Sequence, residues 1–107
     1  MTGAGDPSIA ALLAAARSQF AAGLSARMAA LDEFVEHGAW QDARRAAHKL
    51  RGAAATYGFA AVGECAGAIE EMLLEAGDDP GPEARARIAE RLLAARAEAA
   101  LAASGPP

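Results

Sequence analysis

Apolar residues recur at steps of three and four through the first third of the chain, which is the period of an α-helix. They are Ile9, Leu12, Leu13, Ala16, Phe20, Leu24, Met28, Leu31, Phe34 and Val35. Asp6 followed by Pro7 is typical of a helix start, and Gly38 is typical of a helix end. The pattern predicts a first helix over about 7–37, long enough to contain a bend or break within 17–23.

Three further amphipathic segments follow, and they are predicted as helices over about 39–57, 60–76 and 82–103. The third has its apolar stripe at Val62, Cys65, Ala66, Ile69, Met72 and Leu73, and the fourth at Ile88, Leu92, Ala95 and Ala99. Glycines and the turn sequence GDDPGP separate the segments. Because short loops join neighbours that run antiparallel, we expect an all-α, up-down antiparallel four-helix bundle that forms one domain over 1–107.

Composition agrees with a small helical domain. Alanine supplies 33 of the 107 residues, and alanine favours helices over strands. The net charge of −4 disfavours a general nucleic-acid-binding protein.

The chain has the features of a cytoplasmic protein. Cys65 is the only cysteine, so no intrachain disulfide can form, which fits a reducing compartment. The first residues lack the basic start of a secretory signal, and no uninterrupted apolar run reaches the roughly 18–20 residues of a membrane span. We therefore expect a cytoplasmic monomer that contacts neither membrane nor nucleic acid.

The second helix carries a histidine at the centre of its polar face. On a projection of about 100° per residue, His48 is flanked by Gln41, Arg44, Gly52 and Ala55. A glycine inside a helix costs about 1 kcal/mol relative to alanine, yet Gly52 stands four residues after His48, where the two positions are stacked neighbours. The glycine leaves room for the backbone of a partner beside the imidazole.

Basic residues surround this histidine. Between residues 40 and 58, Arg44, Arg45, Lys49 and Arg51 outnumber Asp42, giving a local charge of +3 in a chain of −4. Such a patch suits an anionic group or an acidic partner surface. A neutral imidazole is a nucleophile near pH 7, and neighbouring cations can stabilise a phosphoryl group that it accepts. An incidental surface histidine on a solvated basic face is the simpler interpretation of the same pattern.

The segment AHKLRGAAATYG resembles the signature of histidine-containing phosphotransfer (HPt) domains. The matching positions are His48, Leu50, Arg51, Gly52 and Gly58. The resemblance extends from about Phe20 to Glu75. It implies a four-helix bundle without kinase activity of its own, whose histidine carries phosphate between receiver domains in a His–Asp relay.

The resemblance also assigns roles to individual residues. His48 would accept the phosphoryl group, Arg51 would stabilise it with help from Lys49 or Arg44, and Gly52 would admit the docking receiver. Gln41, Arg45 and Ala55 are the other residues expected at the docking surface. No cofactor is expected on this chain, because the Mg²⁺ belongs to the acidic site of the receiver, which is part of a hybrid histidine kinase or a response regulator.

Two positions depart from the family pattern. Ala53 follows the glycine where a small polar residue is common, and Glu70 is the nearest match to a polar residue, often Gln, that hydrogen-bonds the histidine. A carboxylate would favour the imidazolium and repel phosphate. Glu70 is therefore either a hydrogen-bond partner of His48 or an ordinary solvated glutamate, with the second interpretation slightly favoured.

Other functions have less support in the sequence. A di-iron bundle needs Glu-x-x-His, but Phe34 and Arg45 stand three residues before the two histidines, and no metal site is expected. His37 fits a helix end, and Cys65 fits the core. A hydrolase is not indicated, because the sequence shows no Ser or Cys nucleophile with a base partner. The main alternative to a phosphocarrier is a non-catalytic helical module for interaction or dimerisation.

Overall fold

The computed structural model describes residues 8–104 and contains four α-helices. They are α1 (Ile9–Glu36), α2 (Trp40–Tyr57), α3 (Ala60–Ala76) and α4 (Pro82–Ser104). In the described part of the chain each helix packs beside the next and α4 packs beside α1, whereas the backbones of the diagonal pairs stay farther apart. The prediction of an all-α, up-down four-helix bundle is confirmed.

The first helix is continuous, without the break that its length had suggested. Its N-cap is Ser8, whose hydroxyl accepts a hydrogen bond from the Ala11 N–H at 3.1 Å. The predicted start at Asp6 and Pro7 lies outside the described residues. A serine side chain satisfies one of the backbone donors that the first helical turn leaves unpaired.

Two glycine turns set the ends of α1 and α2, as the sequence indicates. Gly38 and Gly58 have positive φ angles of 68° and 81°, which glycine adopts without a steric penalty. After Gly58, the Phe59 N–H donates back to the Ala54 carbonyl at 2.8 Å, closing the end of α2. These tight turns bring consecutive helices directly side by side.

The core is made of one apolar stripe from each helix. Its residues are Phe20, Leu24, Met28, Leu31, Trp40, Ala43, Ala47, Leu50, Ala54, Val62, Ala66, Ile69, Leu73, Ile88, Leu92, Ala95 and Ala99. Many are alanines, which lets helices approach closely. At one end of the bundle the ring of Phe20 lies 5.3 Å from the rings of both Tyr57 and Phe59.

The first three turns of α1 do not join this core. Ile9, Leu12 and Leu13 continue the apolar stripe predicted from the sequence, yet all three are exposed. With 28 residues, α1 is longer than the 18, 17 and 23 residues of the other helices, so its start has no neighbour to cover it. Burial of α1 begins at Phe20.

By length and composition alone, α1 is the one helix in residues 8–104 that could cross a membrane. The expectation based on uninterrupted apolar runs did not identify it. The core helix of a soluble protein and an N-terminal signal meet the same criteria, and the second half of α1 contributes core side chains from Phe20 to Leu31.

Candidate functional site

His48 projects into solvent from a firmly anchored helix. Its side chain is 73% exposed, whereas its neighbours Ala47 and Leu50 on the opposite face of α2 are buried. Packing of those residues against the core fixes the backbone that carries the imidazole. The ring is therefore accessible, and the backbone that carries it is anchored to the bundle.

One ring nitrogen of His48 is engaged by the neighbouring helix. Nδ1 lies 2.7 Å from Glu70 Oε2 on α3. Since an ionised carboxylate can only accept hydrogen bonds, Nδ1 must carry the proton in this contact. In the neutral ring the lone pair then resides on Nε2, which is the form required of a nucleophile.

Glu70 also binds Arg51, so that a single carboxylate joins both residues of α2. Arg51 Nη1 donates to Glu70 Oε1 at 3.2 Å, and the Glu70 side chain is only 13% exposed. The interpretation of Glu70 as an ordinary solvated glutamate is wrong, because its two oxygens have different partners and the carboxylate is largely enclosed. Arg51 offsets the charge that a lone carboxylate would place beside the imidazole.

The surface around His48 is open. Apart from its own helix backbone, no heavy atom would lie within 4 Å of a Cβ on Gly52, and Ala55 one turn further on is exposed. Lys49 and Gln41 are exposed as well. The bare strip beside the imidazole that the sequence predicts is thus present in the fold.

Arg44 and Arg45 are placed differently from each other. Arg45 is exposed and lies 3.3 Å from Asp42, within its own helix. Arg44 is 20% exposed and donates to the Gly77 carbonyl and to Asp78, both at 3.3 Å. Its guanidinium therefore ties α2 to the turn between α3 and α4, and this structural use differs from the phosphoryl-stabilising role expected from the sequence.

Two glycines on α3 belong to the surroundings of the site and were missed in the sequence. A Cβ on Gly63 would lie 3.5 Å from the Ala54 Cβ, and one on Gly67 would lie 3.1 Å from Arg51 Nε. The missing side chain of Gly67 leaves room for the guanidinium of Arg51 against α3, whereas a Cβ on Gly63 would make only an ordinary contact with α2. Their spacing of four residues on one helix was the signal available in the sequence, of the same kind that singled out Gly52.

The remaining candidates stand apart from this cluster. His37 Nδ1 lies 2.8 Å from the Glu33 carbonyl at the end of α1. Burial raises the pKa of the Cys65 thiol, and the charge of Glu98 adds to that shift. Among residues 8–104, no group of three or more His, Cys, Asp or Glu side chains is arranged to hold a metal ion.

Comparison with known proteins points to the same chemistry. A family model described as Hpt domain matches residues 15–103, which is most of the chain. No curated protein and no solved structure matched the chain in the corresponding searches. The matched region contains His48, Arg51 and Gly52 of α2 and Glu70 of α3. The chain therefore belongs to the Hpt domain family, whose members are histidine phosphotransfer modules of phosphorelays.

Proposed function

We propose that this protein is a phosphocarrier that accepts a phosphoryl group on His48 from the aspartate of one receiver domain and passes it to another. The observation that carries the proposal is the 73% exposed imidazole whose Nδ1 is bound to Glu70 at 2.7 Å. That arrangement leaves Nε2 directed away from the carboxylate and open to a phosphorylated partner.

The transfer step follows from this geometry. The Nε2 lone pair attacks phosphorus in line, the bond from phosphorus to the aspartyl oxygen breaks, and its electron pair returns to the receiver's carboxylate. The ring keeps its Nδ1 proton and gains a positive charge, which Glu70 stabilises through the existing hydrogen bond. Attack by a second receiver's carboxylate reverses the step and frees the ring.

Charge on the phosphoryl oxygens is offset from both sides of the complex. Arg51 and Lys49 are exposed cations on the same helix as His48 and are proposed to contact these oxygens. The receiver supplies the Mg²⁺ in its own acidic site. We assign no phosphoryl contact to Arg44, because its guanidinium is bound at the turn after α3.

The docking surface is proposed to lie on the exposed face of α2. Gly52 and Ala55 present almost no side chain there, and Gln41 and Arg45 border them. A receiver helix can approach this strip closely, and the cations around His48 complement the acidic site of the receiver. The proposed partners are receiver domains of a hybrid kinase or a response regulator. The carrier itself is proposed to be a cytoplasmic monomer.

The experiment is transfer of radiolabelled phosphate from a phosphorylated receiver. The chain has two histidines, so His37→Gln is a matched control for His48→Gln. Acid-labile label is expected on the wild type and on His37→Gln, and none on His48→Gln. Absence of label from the wild type with every receiver tried would favour the non-catalytic interaction module instead.

A further inference from the structure

Gly67 lies beneath the side chain of Arg51. It is a buried position on α3, one turn before Glu70 and facing α2. A Cβ at this position would lie 3.1, 3.3 and 3.4 Å from the Nε, Cζ and Cδ atoms of Arg51. The end of the arginine side chain therefore occupies the space that a side chain at position 67 would enter.

The path across Gly67 leads to the carboxylate of Glu70. Arg51 Nη1 reaches Glu70 Oε1 at 3.2 Å, already at the long end of the ordinary range of about 2.7–3.2 Å for such a bond. A methyl group at position 67 would lift the guanidinium by a few tenths of an ångström. Arg51 is half exposed and can move outward, so the hydrogen bond would lengthen beyond a useful distance.

The second oxygen of Glu70 holds His48. Since Oε1 binds Arg51 and Oε2 binds His48, the carboxylate is fixed by one partner and orients the other. If the Arg51 contact were lost, the carboxylate of Glu70 could rotate, and less of its negative charge would be neutralised. The imidazole would then lose part of its constraint, although nothing touching the ring itself had changed.

We propose that Gly67 is a positioning residue for phosphotransfer: its bare backbone seats Arg51 against Glu70, and Glu70 in turn fixes the Nδ1–H form of His48. This role of Gly67 rests on the proposed function of His48 as phosphoryl acceptor. Gly67 itself touches neither the imidazole nor the phosphoryl group.

The test compares Gly67→Ala with Gly63→Ala. Both replace a glycine of the same helix beside α2, but only a Cβ on Gly67 would meet the guanidinium of Arg51, whereas a Cβ on Gly63 would meet Ala54 at an ordinary 3.5 Å. Alanine is the better helix former at either position, so both variants should fold, with Gly67→Ser as a second replacement. Circular dichroism checks this before the other measurements.

Two readouts report on His48 without a docked partner. The ¹⁵N shifts of the ring nitrogens give the proportion of neutral ring with its proton on Nδ1, with His37 as the internal reference. Phosphoramidate gives the reactivity: Nε2 bonds to phosphorus while the phosphorus–nitrogen bond breaks and ammonia leaves. In Gly67→Ala the Nδ1–H proportion should fall and phosphorylation should slow roughly two- to tenfold, the range for one lost hydrogen bond. Gly63→Ala should match the wild type in both.

A double variant isolates the route of the effect. In an Arg51→Ala background, Gly67→Ala should produce no further change, because there is no guanidinium left to displace. Equal slowing in that background would overturn the proposal, as would unchanged ring-nitrogen shifts or an unchanged rate in Gly67→Ala alone. Should the wild type accept phosphate from neither phosphoramidate nor a receiver, the proposed function fails, and the ring-nitrogen shifts alone then decide the role of Gly67.

Discussion

Replacing Gly52 with glutamine should make the protein more stable and a poorer phosphocarrier. Apart from its own helix backbone, no heavy atom would lie within 4 Å of a Cβ at this position, so the fold has room for the new side chain. Glutamine is a better helix former than glycine by about 0.5 kcal/mol. For a domain of this size that corresponds to a rise in Tm of roughly 2–4 °C.

The same side chain would stand where the receiver is proposed to dock. Overfilling a packed contact costs about 1–3 kcal/mol, which converts to a roughly 5- to 150-fold loss in kcat/KM for transfer from a phosphorylated receiver. Phosphorylation by phosphoramidate needs no docking and should change far less. Gly52→Ala should give a smaller loss, because its side chain is a single methyl group.

Gly23→Gln is the matched control. Gly23 is also inside a helix, and a Cβ added there would likewise meet no heavy atom within 4 Å beyond its own helix backbone, but it lies on α1. Its replacement should raise the Tm by a similar amount and leave transfer unchanged. Transfer by Gly52→Gln at the wild-type rate, or equal slowing by both variants, would refute the steric reasoning.

Three further predictions concern the charged and titratable groups. Arg51→Ala should slow transfer roughly 10- to 150-fold, as expected for a lost charge-assisted contact, with little change in Tm. Arg44→Ala should instead lower the free energy of unfolding by about 1 kcal/mol and leave transfer intact. The reverse pattern in transfer assays and thermal melts would contradict the roles assigned to the two arginines. Glu70→Gln keeps a hydrogen-bond acceptor but loses the charge, so phosphorylation by phosphoramidate should persist at a rate about fivefold lower; a rate above the wild type would show that the carboxylate hinders the reaction. Burial raises the pKa of the Cys65 thiol, so the pH midpoint of its alkylation by iodoacetamide should be higher in the folded protein than in urea, and equal midpoints would contradict this.

The helices and their buried faces could be predicted from the sequence because each depends on local information. The spacing of apolar residues on α4 predicted the burial of Ile88, Leu92, Ala95 and Ala99, and all four are in the core. Gly38 and Gly58 marked helix ends through a backbone conformation that glycine favours. The exposure of Ile9 could not be predicted, since it depends on how far the neighbouring helices extend.

The same reasoning predicts only part of the candidate site. The exposure of His48 and the space beside Gly52 follow from one helix, so a projection of α2 was sufficient. The contacts of Glu70 with His48 and Arg51 join residues 22 and 19 positions apart, and they depend on the rotation of α3 against α2. Likewise, Arg44 lies beside His48 on the projection, but Asp78 and the Gly77 carbonyl draw its side chain toward another part of the bundle.

The most direct test of this account is to identify the atom that carries the phosphoryl group. The ¹⁵N and ³¹P spectra of the phosphorylated protein should show a single phosphohistidine at His48, with phosphorus bonded to Nε2 and a proton retained on Nδ1. Phosphorus on Nδ1, or on any residue other than His48, would contradict an imidazole held through Nδ1 by Glu70 and open to its partner at Nε2.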